Sequence, residues 1–327
     1  RPPRSTLFPY TTLFRSKKLV SEGRAFPCFC KKTEGKGDVL KLRETKFEND
    51  DEKEYDPCRD LSYEEIKSHI DNGENFAIRL KTKNTGKERI EFYDLIKGKL
   101  EAKANAKDFV ILKSDGTPPY AFAHAIDDTL MGTTIVVRGE EYISSVPAHL
   151  ELFEALGFEP IKYCHNPLIY KLNDLGNKRK ISKRYDPESN MLYYAKQGYP
   201  KDVILEYLLN MINSGFEIWR KNNPLTPWQE FKFGTSDITT VAPIFDMVKL
   251  NDISKNIIAR FSGQELYENW LEWAKVNDTD LAKTLTEEKD KFVKLCQMDR
   301  DNCAKPRKDI YCYAMMKEYF SYIFTKP

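Results

Sequence analysis

The sequence predicts an α/β region joined to an all-α region, and three observations carry that reading. From residue 108 to residue 170, stretches alternate as strand, helix, strand, helix, strand. That order implies parallel pairing in a sheet whose ligands sit at the C-terminal strand ends. Residues 17–107 mix short extended runs with polar excursions and one capped helix, a small α+β module. After Tyr185 the extended runs stop, and apolar residues recur at helical spacing to the end.

Composition narrows the classes. A chain of 327 residues can hold two or three domains with buried cores. With 41% hydrophobic and 31% charged residues it is globular rather than disordered. A net charge of +2 exerts no overall pull on a polyanion, so any nucleic-acid surface must be a local patch. Seven cysteines, an odd number scattered along a long chain, fit reduced thiols in a cytoplasmic protein better than a disulfide framework. No apolar run reaches the ~18 residues that a membrane span needs.

Residues 1–16 are set apart, because residues 6–16 (Thr-Leu-Phe-Pro-Tyr-Thr-Thr-Leu-Phe-Arg-Ser) resemble a translated sequencing adapter. The competing reading is an apolar hairpin turning at Pro9-Tyr10. Ser62 is placed to cap a helix starting at Tyr63, with Glu64 and Glu65 beside its positive end. Residues 76–80 and 90–92 read as strands joined by an Asn84-Thr85-Gly86 turn. Residues 108–113 form a buried-type strand, the following Ser, Asp, Gly and Pro residues make a turn, and Tyr120 opens a helix to about Leu130. Residues 134–138 are the next strand. Residues 144–156 are helical, with Val146, Leu150, Phe153 and Leu156 on one face, and residues 161–170 are extended again. Later helices include residues 201–213 and an amphipathic last one over 310–324, whose apolar face has no evident cover.

Residues 176–185, Gly-Asn-Lys-Arg-Lys-Ile-Ser-Lys-Arg-Tyr, gather five cations in ten positions. Lys180, Ile181, Ser182, Lys183 and Arg184 combine main-chain N–H groups, a hydroxyl and cationic heads on what reads as a mobile loop, a set suited to polyphosphate. By composition alone the stretch is a solvated surface run. Its company alters that. Asp115-Gly116-Thr117-Pro118-Pro119-Tyr120, Asp127-Asp128, Met131-Gly132, Val137-Arg138-Gly139-Glu140-Glu141 and His165-Asn166-Pro167-Leu168 precede it in order. Together these motifs resemble the bacterial type of the glutamyl-tRNA synthetase family, class I aminoacyl-tRNA synthetases. The similarity runs from about Lys17 to the C-terminus and is densest between residues 108 and 184.

The resemblance implies an acceptor-end-binding insertion over residues 17–107 and the C-terminal half of a Rossmann-like catalytic domain over 108–185. A helical stem-contact domain over 186–256 and the start of a helical anticodon-binding domain over 257–327 would follow. It implies a monomer that activates L-glutamate with ATP, supplied as its Mg2+ complex, and passes the glutamyl group to the 3′ end of tRNA(Glu). The substrate carboxylate is itself the nucleophile, so the protein's part is positioning and charge stabilisation. By the same resemblance Lys180, Ser182 and Lys183 are catalytic, and Glu141, Ile169, Lys180, Ile181, Ser182, Lys183 and Arg184 line ATP. Tyr120, His124 and Arg138 would hold glutamate. Arg138 offers a planar fork that a carboxylate accepts bidentately; its other reading is a surface ion pair with Glu140 or Glu141. His124 stands where Asn is more familiar and can instead partner Asp127 or Asp128, while Ile169 can be ordinary core.

Cys28, Cys30 and Cys58 match the zinc-binding insertion of some members of the family. Zinc wants a fourth ligand. Asp60 stands where those members can offer a His, with Tyr55 a further candidate; without metal the three are packing thiols. Cys164, Cys296, Cys303 and Cys312 lack such spacing. Trp219, Arg220, Trp228 and Phe231 are candidates for contact with the tRNA stem, or else core. One departure matters: a class I enzyme carries a His-x-Gly-His motif in its first half, and none of His69, His124, His149 and His165 lies in one. The expectation is therefore a fragment lacking the first strands of the sheet and part of the glutamate site, inactive alone. An enzyme that also charges tRNA(Gln), a non-catalytic tRNA-binding module and a ligase modifying a tRNA base remain as other readings.

Overall fold

The computed structural model describes residues 9–30 and 56–324, which fall into two units, Arg1–Asn166 and Pro167–Pro327. In the first unit, helix α1 (Pro9–Ser21) leads through Gly23, at φ 68°, into strand β1 (Ala25–Cys28). Residues 9–16, set apart for their likeness to a translated adapter, are thus helical rather than a hairpin. Thr12, Ser16 and Leu19 are buried, and Arg15 lies over the Phe158 ring at 4.7 Å. Helix α2 (Tyr63–Asp71) begins as expected, with Ser62 and Glu65 joined in a capping box. Strands β2 (Ala77–Leu80), β3 (Arg89–Asp94), β4 (Gly98–Lys103) and β5 (Phe109–Leu112) follow, then α3 (Tyr120–Leu130) and β6 (Ile135–Gly139). A 3-10 turn (Glu140–Ser145), α4 (Val146–Leu156) and β7 (Lys162–Asn166) complete the unit.

Strand pairing departs from the expected single parallel sheet. β5 pairs antiparallel with β2, and β2 with β1, giving the order β1-β2-β5. The second sheet has the order β4-β3-β7-β6: β6 and β7 are parallel across the α4 crossover, from Ile135 opposite Lys162 to Gly139 opposite Asn166. β3 is parallel to β7 and antiparallel to β4. So β2 and β3, read as strands joined by a turn, do not pair with each other. Burial explains the division. β1 and β5 are buried at all four positions and β2 at three, so they need cover on both faces. They find part of it against Leu19, Phe122, Ile126, Leu152 and Phe153 of α1, α3 and α4, while Phe26 and Cys28 of β1 pack with Phe29 and Cys58 in a separate cluster. β3 and β4 alternate between partly buried and exposed positions, the pattern of a sheet with one wetter face.

The second unit opens with an antiparallel hairpin, β8 (Tyr170–Leu172) and β9 (Lys178–Lys180). Its long helices are α5 (Met191–Gln197), α6 (Lys201–Ile212), α7 (Ser214–Asn222), α8 (Met247–Ile258), α9 (Gly263–Asn277), α10 (Thr279–Glu287) and α11 (Lys289–Gln297). Short helices α12 (Ala314–Tyr319) and α13 (Ser321–Phe324) end it. One core gathers Tyr194, Val203, Tyr207, Leu250 and Ile257; another gathers Leu266, Trp270, Leu285 and Phe292. The expected continuous helix over 310–324 is broken at Phe320, where φ is −99° and ψ 23°. Its apolar residues are covered, because Ile310, Tyr313, Met316 and Phe320 enter the Trp270 core. A mixed α/β first unit and a chiefly helical second one give the expected fold class. No helix among the described residues is long and apolar enough to cross a membrane.

Met316→Ala should therefore lower unfolding stability by about 2–5 kcal/mol, the range for a buried large-to-small change. Tyr322→Ala, at a 64% exposed side chain, should change it by no more than about 0.5 kcal/mol. Urea unfolding followed by tryptophan fluorescence reads both, and equal losses would contradict the packing described.

Candidate active site

The parallel ends of β3, β7 and β6 bring Asp94, His165 and Arg138 into one row. Arg138 lies opposite His165 in the β6–β7 register, and Asp94 lies opposite Tyr163, two residues before His165 and on the same face. Asp94 is fully buried. It accepts the main-chain N–H groups of Ile96 and Lys97 at 2.9 Å each, that of His165 at 3.0 Å, and the His165 ring Nδ1–H at 2.7 Å. Burial pushes this carboxyl up, but the N–H donors of Lys97, His165 and Ile96 outweigh it and hold it below the usual carboxylate range.

A carboxylate only accepts, so His165 carries its proton on Nδ1 and leaves Nε2 to accept the Arg138 Nε–H at 3.0 Å. Arg138 Nη2 donates to His149 Nδ1 at 3.1 Å and Nη1 to the Tyr120 hydroxyl at 3.4 Å. Its guanidinium stacks 4.5 Å from the Tyr163 ring centre and 5.0 Å from that of Tyr142. Burial and the Arg138 charge lower the His149 pKa to about 3, and burial lowers that of His165 despite Asp94. Every acceptor of Arg138 is therefore neutral. The cation is held in place without an internal carboxylate spending its charge.

Tyr120, His124 and Arg138 do come together. His124 stacks on Tyr120 with ring centres 5.6 Å apart, yet it faces inward. Its Nδ1 bonds Asp128, its Nε2 meets the Tyr163 hydroxyl at 3.0 Å, and its side chain is 1% exposed. Tyr120, 51% exposed, and the half-buried Arg138 form the accessible part. Glu140 pairs with Lys97 at 2.7 Å rather than with Arg138. The Glu141 carboxylate lies against Gly139, where a Cβ would collide with it.

The cationic stretch belongs to the second unit, and it is not the loose loop expected. Lys180 closes β9 opposite Tyr170, and residues 183–185 turn back onto Asp186. The buried Asp186 carboxylate accepts both Arg179 Nη groups at 2.6 Å and the Ser182 N–H at 2.8 Å, and its own N–H returns to the Ser182 carbonyl at 2.8 Å. Lys171 adds ion pairs to Asp186 at 3.5 Å and to Glu188. The Ile181 N–H bonds the Ile169 carbonyl at 3.2 Å, and both side chains pack against the Tyr194 core. Ser182 is half-buried, and its Oγ accepts the Arg184 N–H at 3.3 Å. Lys180, Lys183 and Arg184 are exposed above this frame.

Cys28, Cys30 and Cys58 also meet, and the acid beside them is Asp56, not Asp60. One ligand-type atom from each of the four residues lies within 4.8 Å of the others. Asp56 folds back because it accepts the Cys58 N–H at 2.9 Å, an Asx turn across Pro57. Asp60 is exposed at the end of that turn, and Tyr55 lies outside the described residues. Burial and the Asp56 bond push the Cys28 thiol up to about 12, and Arg79 pairs with Asp56 at 3.0 Å.

The aromatic and basic candidates after Tyr185 are engaged internally. Arg220 donates to Glu206 at 2.8 and 3.0 Å and to the carbonyls of Asn223 and Thr226, and lies 4.9 Å from the Trp219 ring centre. Trp219 packs on Phe231, and Trp228 Nε1 donates to Asp202 at 3.2 Å.

A family model described as tRNA synthetases class I (E and Q), catalytic domain, matches residues 11–249. The chain belongs to this family. The glutamate--tRNA ligase of Clostridium perfringens (strain SM101 / Type A) is 41% identical over 310 residues, covering 95% of this chain and 56% of the relative. That of Clostridium beijerinckii is 42% identical over 315 residues with the same coverage. The chain spans about half the length of these curated relatives. A crystal structure of a glutamate tRNA ligase from Elizabethkingia meningosepticum, in complex with its amino acid, superposes with a TM-score of 0.71 at 20% identity, covering 98% of this chain and 64% of that one. This likeness shows the fold. Within this class I synthetase chain, sequence reasoning missed Asp94, His149 and Tyr163 and knew His165 only as part of a motif. An aspartate closing an alternating strand was the one local sign of the first.

The Arg179 guanidinium beside Asp186, aided by the Ser182 N–H, holds that carboxyl well below the usual carboxylate range. The folded pKa is depressed, so the stabilisation is present above the unfolded value of about 3.9 and is lost only as pH falls through the lower folded value. A carbon-13 titration of the aspartate carboxyls should find Asp186 still ionised where exposed aspartates are half protonated. A midpoint at theirs would refute the bracket.

Proposed function

We propose that the whole protein from which this chain comes is a glutamate–tRNA ligase. It would activate L-glutamate with Mg2+-bound ATP to glutamyl-adenylate, then transfer the glutamyl group to the 3′ end of tRNA(Glu). The observation that carries the reading is the accessible Arg138 guanidinium, held by Tyr120, His149 and His165 with its charge uncancelled, in a chain of the class I family for E and Q. A glutamate carboxylate is the complement of such a fork. Tyr120 adds a hydroxyl, while His124 acts as the wall behind Tyr120.

As the substrate carboxylate attacks the α-phosphate, negative charge grows on the phosphates and on the departing pyrophosphate. Lys180 and Lys183 neutralise it, Ser182 and the main-chain N–H groups donate to it, and Ile181 and Arg184 complete the nucleotide contact, with Glu141 and Ile169 toward the ribose and adenine. In this reading residues 17–107 meet the acceptor end of the tRNA, residues 108–185 carry the chemistry, residues 186–256 meet the stem, and residues 257–327 begin the anticodon region. Recognition rests on backbone charge and on stacking of single-stranded bases.

Zinc fits the insertion. Two sulfurs on a tetrahedral zinc with bonds of about 2.3 Å stand about 3.75 Å apart, and Cys30 Sγ lies 3.7 Å from Cys58 Sγ. Cys28 and Asp56 would complete the set, with Arg79 offsetting part of its negative charge. The metal would hold two chain segments together, residues 28–30 and 56–58; no step of the reaction passes through it.

Lys183→Ala in the full-length protein should cut glutamyl-adenylate formation by about 100-fold or more while tRNA binding stays within about twofold. Arg138→Ala should raise the glutamate KM about 10- to 100-fold and leave that for ATP nearly unchanged. An active Lys183→Ala enzyme, or equal rises in both constants for Arg138→Ala, would sink these roles. A full-length product that binds tRNA but makes no adenylate would be a non-catalytic binding module instead.

Cobalt(II) added to the metal-free protein should give a thiolate-to-cobalt charge-transfer band and release protons. Asp56→Ala should weaken that binding at least tenfold, and Asp60→Ala should leave it unchanged. The opposite ranking would restore Asp60 as the ligand.

A further inference from the structure

We propose that Asp94 and His165 are positioning residues that fix the Arg138 guanidinium as a receptor for the substrate carboxylate, acting through the tautomer of the His165 ring. The proposal rests on the glutamate reading of Arg138 and deepens it. An arginine side chain has four rotatable bonds, so unbraced it would lose much of its binding energy to ordering. Here Nε is held by His165, Nη2 by His149, and the guanidinium face by Tyr163. A guanidinium has five N–H donors. Three are occupied, counting the long bond to Tyr120, which leaves two, one on each Nη, for an incoming carboxylate.

Asp94 sets which nitrogen of His165 can do this. Both its oxygens are saturated, each by two N–H donors, and its side chain is wholly buried, so it neither rotates nor reaches Arg138 itself. Its demand for a donor puts the His165 proton on Nδ1. Arg138, a pure donor, needs the lone pair that this leaves on Nε2. The two ends agree on one neutral ring, and the other tautomer would set N–H against N–H at 3.0 Å. The spacer has a purpose. An aspartate bonded directly to Arg138 would brace it equally but would cancel the charge that distinguishes a carboxylate from an uncharged amide. With an imidazole between them, the carboxylate orients the cation without neutralising it by contact.

The first measurement is made without substrate, by long-range proton–nitrogen spectra of the histidine rings. His165 should be the Nδ1–H tautomer in the unaltered protein. In Asp94→Asn, whose amide donates toward Nδ1, it should become Nε2–H. In the full-length enzyme Asp94→Asn should raise the glutamate KM at least tenfold, with the ATP KM and kcat changed less than threefold. His165→Gln, whose amide oxygen can replace the Nε2 lone pair, should keep glutamate KM within about fivefold of the starting value, while His165→Leu should not. The deciding variant is the double one: with Gln at 165 there is no tautomer to set, so adding Asp94→Asn should raise the glutamate KM by less than about threefold, the lost acceptor for the main-chain N–H of residue 165 being common to both backgrounds.

An Nε2–H ring in the unaltered protein overturns the proposal. So does an Asp94→Asn penalty of undiminished size in the His165→Gln background, or one falling equally on ATP and glutamate, since general damage to the sheet would do both. Should Asp94→Asn fail to fold, the ring spectrum of the unaltered protein and the Gln-against-Leu comparison still decide. A protein whose ring responds as described but which uses no glutamate in any form overturns the ligase reading and leaves the brace standing.

Discussion

The bond from Arg138 Nε to His165 Nε2 ties three strands to one charge. It exists because β6 and β7 pair in a register that sets these residues opposite each other, and because β3 ends against β7 where Asp94 can reach the ring from behind. A slip of one residue in either ladder would turn one member to the other face. Around this row the helices supply their own pieces: Tyr120 and His124 from α3, His149 from α4. The burial that makes the neighbouring imidazoles poor bases comes with the apolar packing, around Phe122, Leu152 and Phe153, that holds α3 and α4 to the β1-β2-β5 sheet. Charge availability at the surface and core packing beneath it are thus one arrangement.

What was legible in the sequence was local. The Ser62 cap and the start of α3 at Tyr120 depend on neighbours within a turn or two and stand where expected; of the face read on α4, Val146, Phe153 and Leu156 are buried, but Leu150 is only half-buried and Leu152, not read as part of it, is fully buried. Tyr120 and Arg138 were named from motifs, and the structure joins them. Strand partnership was not legible, since nothing within the buried-type strand of residues 109–112 says that its neighbour is β2 rather than β6. Asp94 escaped for the same reason: it acts on a ring 71 positions away, across a strand pairing that no local pattern encodes. Asp56 was not read as a partner of the thiols, and Asp60 was, because a single Asx turn decides which carboxylate faces them. The covered apolar face of α12 was missed because Trp270 and Phe292 are distant in sequence.

The turn bearing Lys183 has a mechanical property that follows from Asp186. One carboxylate grips β9 through Arg179 and the turn through the Ser182 N–H. Moving the turn apart from the hairpin means breaking charge-assisted bonds worth about 1.5–3 kcal/mol each. The same end of the hairpin is stitched down where Tyr170, opposite Lys180, exchanges main-chain bonds with Pro243 and Phe245. Lys183 therefore stands on a short turn held on both sides, by Asp186 and by the pinned Tyr170–Lys180 pair, and a large displacement has to break one of these sets of bonds. A turn held in this way keeps its cations at a fixed spacing from one another.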